Sequence, residues 1–249
     1  MRKFGLIGYP LGHSFSRKYF QEKFARENLS DCSYDNYPIT SLGRLPDLLH
    51  YYGLEGLNVT IPYKTAVMQF LDEIDPEAQA VGAVNVIKIK NTMKGIMVSG
   101  FNSDITGIRD TLEPVMGKMK IRALVLGTGG SSKAVCHVLE SAGIKYVLVS
   151  RSAGQGCLTY PDLNSDIIEE SRLIINTTPL GMHPDTETKP DIPYDLLGPE
   201  HILFDLVYNP EITAFLQMGI DKGCTTLSGL KMLYSQAEKS WEIWNDDSL

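Results

Sequence analysis

Two ionisable residues have the types and local settings that proton transfer to a carbonyl group requires. Lys64 ends the segment Asn58-Val59-Thr60-Ile61-Pro62-Tyr63-Lys64, in which Thr60 suits a helix cap and Pro62 suits a first helical turn. A cation beside a helix N-terminus opposes the helix dipole, which eases loss of its proton. Asp104 follows in the segment ending Ser103-Asp104. Because ketone reduction needs a proton donor beside a hydride donor, the two residues predict reductase chemistry; an exposed lysine and an ordinary first-turn acid are the alternatives.

A glycine-rich loop between a strand and a helix predicts a dinucleotide site. Arg122–Leu126 is a short apolar strand, and Gly127-Thr128-Gly129-Gly130-Ser131-Ser132-Lys133 leads from it into a helical stretch. Glycines allow a tight turn and a close approach to a pyrophosphate at the helix N-terminus. A plain glycine-rich turn is the alternative. The candidate cofactor residues of this loop are Gly127, Gly129, Gly130 and Ser131.

The end of the next strand distinguishes between the two nicotinamide cofactors. NAD sites usually place a carboxylate there to hold the ribose 2′-hydroxyl. This chain has Ser150, Arg151 and Ser152 instead, and an arginine flanked by hydroxyls suits a 2′-phosphate. We therefore expect NADP, with a solvated loop arginine as the alternative. Asn176 and Thr177 end another buried strand, and we expect them either to contact ribose or nicotinamide or to stabilise a turn.

Further polar residues in the first hundred positions suit a small polar substrate. Ser14 and Ser16, spaced by two, fit hydrogen bonds to a substrate carboxylate, although Ser16 also fits a helix N-cap. Asn85 is a polar residue in an apolar strand, and we expect it to face the same cleft.

The elements that must hold these residues alternate between strands and helices, which is typical of an α/β fold. The expected strands are Lys3–Ile7, Tyr34–Pro38, Gly56–Val59, Val84–Ile89, Ile96–Ser99, Arg122–Leu126, Tyr146–Ser150, Leu173–Asn176 and Ile202–Asp205. The expected helices are Arg17–Glu27, Ser41–Tyr51, Ser103–Leu112, Ser132–Ala142, Thr213–Lys222 and Gly229–Trp244. A hairpin around 91–94 breaks the alternation, and a domain boundary is expected near 100–104. We predict two domains, an N-terminal α/β substrate-binding domain and a Rossmann-like dinucleotide-binding domain.

Composition limits the classes of partner. The chain has 249 residues and a net charge of −7, which argues against a nucleic-acid-binding surface. No apolar run reaches the roughly 18 residues of a membrane span, and the first ten residues lack the apolar run of a signal peptide. The four cysteines form no CxxC pair, so neither a metal cluster nor a redox dithiol is indicated. We expect a cytoplasmic protein that binds a small molecule and no metal, nucleic acid or membrane.

The motifs, taken in order, resemble those of the shikimate dehydrogenase family. The matches run from residue 5 to residue 237, and the two segments that end at Lys64 and Asp104 are the most specific to the family. The resemblance implies reversible reduction of 3-dehydroshikimate to shikimate with NADPH, in aromatic amino-acid (chorismate) biosynthesis. It implies that Lys64 and Asp104 are the catalytic pair. Matching positions for substrate or nicotinamide are Ser14, Ser16, Thr60, Asn85, Tyr208, Gln236 and Gly229.

The resemblance also implies a discontinuous substrate domain, residues 1–102 plus 230–249, around an NADP-binding Rossmann domain at 103–229. The chain departs from the family pattern in two places. The loop at Arg151 carries one basic residue where the family usually has two, and a helix and a strand are trimmed between Gly154 and Ile168. Two alternatives stay open: a quinate/shikimate dehydrogenase of the same family that uses NAD, and a substrate-binding homologue without turnover.

Overall fold

The chain divides into two compact units. The computed structural model describes residues 1–11, 15–93, 95–116, 122–152, 154 and 156–248. Unit 1 comprises Met1–Ser103 and Ala237–Leu249, and unit 2 comprises Asp104–Gln236. Each unit is built around its own six-stranded sheet, and helices pack against both sheets. The predicted α/β class is therefore confirmed.

The described residues form twelve strands and eight α-helices. The strands are β1 (Arg2–Gly8), β2 (Cys32–Pro38), β3 (Leu54–Val59), β4 (Glu73–Ile74), β5 (Val86–Thr92), β6 (Gly95–Phe101), β7 (Arg122–Leu126), β8 (Lys145–Ser150), β9 (Cys157–Thr159), β10 (Leu173–Asn176), β11 (Ile202–Asp205) and β12 (Thr225–Leu227). The helices are α1 (Phe15–Arg26), α2 (Leu45–Tyr51), α3 (Pro76–Val81), α4 (Asp104–Leu112), α5 (Gly130–Ser141), α6 (Ser165–Glu170), α7 (Ala214–Asp221) and α8 (Gly229–Asn245). Within this part of the chain, no helix is both long enough and apolar enough to cross a membrane.

The sheet of unit 1 has the strand order β2-β1-β3-β5-β6-β4. β1 is parallel to β2 and β3, whereas β5 is antiparallel to both β3 and β6, as the predicted hairpin requires. Successive β1 residues enter opposite apolar layers, because strand side chains alternate between faces. Phe4 packs with Phe20 and Trp244 on one face, and Ile7 packs with Leu57 on the other. This central sheet is covered on both faces, so the segments that leave its strands start from rigid positions.

The sheet of unit 2 is entirely parallel, with the order β9-β8-β7-β10-β11-β12. Numbered within the unit, this order is 3-2-1-4-5-6, that of a dinucleotide-binding Rossmann fold. The order reverses between β7 and β10, and in such sheets ligands bind outside the carboxyl ends of the strands at that point. The glycine-rich loop follows β7, and Asn176 ends β10.

The sequence missed five short elements: β4, β9, β12, α3 and α6. The trimmed region after Ser150 still contains a strand, because β9 pairs in parallel with the last three residues of β8. Only three residue pairs join β8 to β9. The connection between them, from Ser150 to Cys157, is shorter than the dozen or more residues that usually connect parallel strands. Between Gly154 and Ile168, the described residues include β9, a 3₁₀-helix at Tyr160–Asp162 and the start of α6 at Ser165.

Candidate functional site

The segment that carries Lys64 is a turn held by tertiary hydrogen bonds, and the prediction of a helix capped by Thr60 was wrong. The first helical turn after it is a 3₁₀-helix at Ala66–Phe70. Thr60 N donates to Ile7 O at 2.9 Å, and Val84 N donates to Lys64 O at 2.8 Å. Because the sheet satisfies these backbone groups, no helix is needed there. A helix dipole at Thr60 therefore does not act on Lys64. What fixes the position of Lys64 is the hydrogen bond of its backbone to Val84.

Asn85 is hydrogen-bonded both to β3, just before the Lys64 turn, and to Ser103, the last residue of the first segment of unit 1. Its backbone oxygen accepts a hydrogen bond from Val59 N at 2.9 Å, and its side-chain Oδ1 accepts one from Ser103 N at 2.7 Å. The side chain is buried. Since Lys64 pairs with the residue preceding Asn85, unit 1 brings Thr60, Lys64 and Asn85 together where β3 ends and β5 begins.

Ser16 lies in the first turn of α1 and is half-buried. Its side chain lies near the hydroxyl of Tyr34, which donates to Asn58 Oδ1 at 2.8 Å. Burial raises the pKa of Tyr34, so the phenol keeps its proton and remains a donor. Ser14, the other predicted carboxylate ligand, lies outside the described residues.

Asp104 is the first residue of α4 and of unit 2. Its side chain is buried, with only 4% of its surface exposed, which is unusual for a carboxylate without a structural or chemical role. It follows directly after Ser103, the residue whose backbone amide Asn85 holds.

The glycine-rich loop of unit 2 has the geometry that a pyrophosphate requires. Gly127 has a φ of +110°, and a Cβ there would lie 2.7 Å from Thr177 Oγ1, so only glycine fits. Gly129 caps α5 and Gly130 begins it, and a Cβ at either would meet no atom within 4 Å. The start of this twelve-residue helix is therefore open to an anion, which the helix dipole and the backbone N–H groups attract.

The neighbouring strand end suits a 2′-phosphate. Arg151 and Ser152 are exposed directly after β8, and Ser150 Oγ accepts a hydrogen bond from Ser152 N at 3.4 Å. Gly127 N donates to Val149 O at 2.8 Å, so the glycine-rich loop and this strand end lie side by side. Ser131, in the first turn of α5, is half-buried.

Of the two roles expected for Asn176 at the end of β10, the structure favours that of stabilising a turn. Its side chain is completely buried. Nδ2 donates to Asp205 Oδ1 at 3.0 Å, and Oδ1 accepts from Thr178 Oγ1 at 2.7 Å. Both ends of the amide are thus used inside unit 2, so the side chain orders the loop rather than contacting ribose or nicotinamide. Thr177 is half-buried beside Gly127, donates to Leu126 O at 2.7 Å, and stays a candidate.

Asp205 is a residue that sequence reasoning missed. It ends β11 with no exposed surface, and its carboxylate accepts hydrogen bonds from Asn176 Nδ2, Val207 N at 3.0 Å and Thr213 Oγ1 at 2.5 Å. Burial raises the pKa of Asp205 to about 6, although these three donors act to lower it. The available signal was a single acid at the end of the apolar run Ile202-Leu203-Phe204. Its bonds order the loop that leads to Tyr208.

Tyr208 and Gly229 lie close together in unit 2. Gly229 begins α8, and a Cβ there would come within 2.4 Å of Leu206 O, so the helix start packs directly on the backbone after β11. Tyr208 is half-buried two residues further on, and burial raises the pKa of its hydroxyl. Gln236 lies further along α8, near the end of unit 2, and is half-buried.

A parallel sheet of this order, with a glycine-rich loop at its reversal point, defines a dinucleotide-binding Rossmann protein. Residues 6–87 match the family model described as the shikimate dehydrogenase substrate binding domain. The shikimate dehydrogenase (NADP(+)) of Methanococcus aeolicus is 36% identical over 258 residues, covering 96% of this chain and 90% of the relative. That of a Clostridium perfringens strain is 38% identical over 259 residues, covering 98% and 93%.

A solved structure agrees over nearly the whole chain. Shikimate 5-dehydrogenase from Thermus thermophilus, in complex with NADP(H) and shikimate, superposes with a TM-score of 0.82 at 31% identity, covering 98% of this chain and 94% of that one. The chain belongs to the shikimate dehydrogenase family.

Proposed function

We propose that the protein catalyses the reversible NADPH-dependent reduction of 3-dehydroshikimate to shikimate, a step of aromatic amino-acid (chorismate) biosynthesis. The observation that carries the proposal is the Lys64 turn. Its hydrogen bond to Val84 places the one cation of this segment beside Asn85, in a chain that belongs to the shikimate dehydrogenase family. A lysine held in that way suits proton transfer to a substrate oxygen.

Lys64 and Asp104 are the proposed catalytic residues. When NADPH is bound in the reducing direction, it would supply the hydride that the carbonyl carbon accepts. The Lys64 ammonium then gives its proton to the carbonyl oxygen, which becomes the hydroxyl, and in the oxidising direction neutral Lys64 takes that proton back. The buried Asp104 carboxylate accepts a hydrogen bond from the substrate hydroxyl and fixes its orientation for the transfer.

Substrate recognition is proposed to depend on hydroxyl and amide groups. The hydroxyls of Ser14 and Ser16 are proposed to bind the carboxylate of shikimate. If both hydroxyls donate hydrogen bonds to it, the carboxylate needs no positively charged residue. The ring hydroxyls of shikimate are proposed to form hydrogen bonds with Thr60, Asn85, Tyr208 and Gln236. Most of these side chains are half-buried or buried, so their hydrogen bonds to a ligand are shielded from water and discriminate strongly between hydroxyl patterns.

The cofactor is proposed to be NADP. The pyrophosphate is proposed to bind the N–H groups of Gly129, Gly130 and Ser131, where the open helix start fits an anion. The 2′-phosphate is proposed to bind Arg151, assisted by the hydroxyls of Ser150 and Ser152. Since Ser150–Ser152 contains no carboxylate to reward a free 2′-hydroxyl, NADP is preferred over NAD. Gly127, Thr177 and Gly229 are proposed to line the rest of the cofactor site.

A cytoplasmic location is proposed on the basis of the cysteines. All four are described as free thiols, and reduced cysteines are usual in the cytoplasm.

Steady-state oxidation of shikimate, followed by the absorbance of reduced nicotinamide, tests the proposal. We expect turnover with shikimate and NADP⁺, with a lower kcat/KM for NAD⁺ and for quinate. A higher kcat/KM for NAD⁺ and quinate would favour the quinate/shikimate dehydrogenase alternative. Binding of shikimate without any turnover would instead favour the non-catalytic homologue. Reactions without shikimate give the background rate.

A further inference from the structure

A buried carboxylate joins the loops that follow β10 and β11. Asp205 Oδ1 accepts hydrogen bonds from Asn176 Nδ2 and Val207 N, both at 3.0 Å. Asp205 Oδ2 accepts one from Thr213 Oγ1 at 2.5 Å, and Asn176 Oδ1 accepts one from Thr178 Oγ1 at 2.7 Å. We name Thr178, Asn176, Asp205 and Thr213 the loop bridge. It connects the loop after β10 with the end of β11 and with the N-cap residue of α7.

Backbone N–H groups fix the direction of the hydrogen bonds in the loop bridge. Thr178 N can only donate, and it lies 3.0 Å from Asn176 Oδ1, so this atom is the amide oxygen. Asn176 Nδ2 therefore donates to the Asp205 carboxylate. The Thr178 hydroxyl, 2.7 Å from the same amide oxygen, donates to it and accepts from Leu180 N at 3.3 Å. Donors thus face acceptors all the way from Thr178 to Asp205.

Thr177 lies between two members of the loop bridge in the sequence and packs against the glycine-rich loop in space. Its N and Oγ1 atoms both donate to Leu126 O, at 3.0 and 2.7 Å. A Cβ on Gly127 would come within 2.7 Å of Thr177 Oγ1. The end of β7 therefore holds Thr177 itself, while the loop bridge holds the residues before and after it, at the point where the strand order reverses.

The loop bridge places a charge where an apolar residue would cost less. Asn176, Asp205 and Thr213 have no exposed surface. Hydrogen bonds offset only part of the cost of burying the carboxylate, since the pKa of Asp205 stays raised despite its three donors. A residue that is costly for stability, at the edge of a parallel sheet where ligands bind, is typical of a functional role.

We propose that Asp205 is a positioning residue for the dinucleotide, which holds the loop after β10 so that Thr177 and the backbone beside it meet the cofactor in one arrangement. The proposal rests on the proposed function, because it takes Thr177 as part of the NADP site. Asp205 has no exposed surface, so it acts through the loop and not by contact with the cofactor. A loop that is ordered before binding loses less conformational freedom on binding, which raises the affinity.

Asp205→Ala and Asp205→Asn, compared in the full-length protein, test the proposal. Alanine removes the acceptor of all three hydrogen bonds, whereas asparagine keeps an oxygen for Asn176 and Val207 and can donate to the Thr213 hydroxyl. We expect the Kd for NADP⁺, measured by calorimetry above the pKa of Asp205, to rise about tenfold in Asp205→Ala, the change that one hydrogen bond corresponds to. In Asp205→Asn the Kd should remain close to that of the wild type.

Ile168→Ala is the matched control for a loss of stability. Ile168 lies in α6 of the same unit and is completely buried in its core, so the variant leaves a cavity there. The melting temperature should fall while the Kd for NADP⁺ stays unchanged, because the loop bridge is intact. A purely structural role of Asp205 would give the same result for Asp205→Ala, with lower stability and an unchanged Kd.

Thr178→Val interrupts the loop bridge at its other end and serves also if Asp205→Ala does not fold. It removes the hydroxyl between Asn176 and Leu180, and Thr178→Ser keeps that hydroxyl. The valine variant should weaken NADP⁺ binding, and the serine variant should not. Because Asp205 and Thr178 hold the same amide, Asp205→Ala should have almost no further effect on the Kd in a Thr178→Val background.

Three results would overturn the positioning role alone. They are a Kd for Asp205→Ala equal to that of the wild type, an Asp205→Asn variant that binds as weakly as Asp205→Ala, and additive losses in the double variant. If Asp205→Ala does not fold, equal Kd values for Thr178→Val and Thr178→Ser have the same meaning. A wild type that does not bind NADP⁺ would overturn the proposed function and this inference with it.

Discussion

Replacing Asp205 with asparagine should change how the stability of this protein depends on pH. The carboxyl group is completely buried, and burial raises its pKa from 3.8 to about 6 in the folded protein. The folded state thus holds the proton more tightly than the unfolded chain does. Below about pH 3 the carboxyl is protonated in both states; as the pH rises through 3.8 towards 6, it ionises in the unfolded chain first and stability is lost. Above about pH 7 the carboxyl is ionised in both states and the full cost remains.

The magnitude follows from the two pKa values. A difference of about two pKa units corresponds to about 3 kcal/mol, of which about 2 kcal/mol develops between pH 4 and pH 7.5. Asp205→Asn keeps an oxygen for Asn176 and Val207 and has nearly the same shape, but it cannot ionise. The free energy of unfolding of the variant minus that of the wild type should therefore increase by about 2 kcal/mol over that pH range, so that the variant becomes relatively more stable.

Urea-induced unfolding at several pH values, followed by circular dichroism, measures this difference. Asp195→Asn is the control for the loss of one negative charge, because its side chain is 98% exposed. Thr213→Val should have the opposite effect. It removes a hydrogen-bond donor that lowers the pKa of Asp205, so the stability of this variant should keep falling to higher pH than that of the wild type. A variant-minus-wild-type difference for Asp205→Asn that is flat with pH, or that falls, would refute the reasoning.

Three further substitutions test the proposed site. Lys64→Ala should lower kcat by about 10²–10⁴-fold while NADP⁺ affinity stays unchanged, and near-normal turnover in a folded variant would remove its catalytic role. Arg151→Ala should lower kcat/KM for NADPH about 10- to 150-fold and leave NADH use unaffected, whereas an equal fall with both cofactors would indicate a structural role. Gly127→Ala should weaken NADP⁺ binding measured by fluorescence and destabilise unit 2 by about 1–3 kcal/mol, because φ is +110° and Thr177 occupies the space; unchanged stability would contradict the close approach.

The local sequence patterns were sufficient for much of the fold and for the kind of chemistry. Apolar strands such as Leu173–Asn176 and Ile202–Asp205 were predicted at their observed bounds, because every residue but the last in each is apolar and buried on both faces. The glycine-rich loop was recognisable because its spacing between a strand and a helix carries the phosphate-binding geometry within a few residues. β9 and α6 were missed, since Cys157–Thr159 and Ser165–Glu170 contain no comparable apolar run or regular hydrophobic period.

The Lys64 turn shows where a locally correct pattern failed. Thr60 and Pro62 both favour a helix start, and local propensity alone contains nothing against it. The backbone groups of this segment bond instead to Ile7, in β1, and to Val84, which lies two residues before β5. Tertiary hydrogen bonds outweigh a capping preference of about 1 kcal/mol.

The sequence by itself determined which chemical groups this protein has and the class of cofactor loop that presents them. Only the tertiary structure decided what each polar group is bonded to. Asn176 was expected either at a ligand or in a turn, and its side chain bonds to Asp205, whereas the side-chain oxygen of Asn85 accepts a hydrogen bond from Ser103 N. The physical reason is that a buried polar group must find a partner, and that partner is often distant in sequence: Asn58 and Ser240 are 182 positions apart and meet only when α8 packs beside β3.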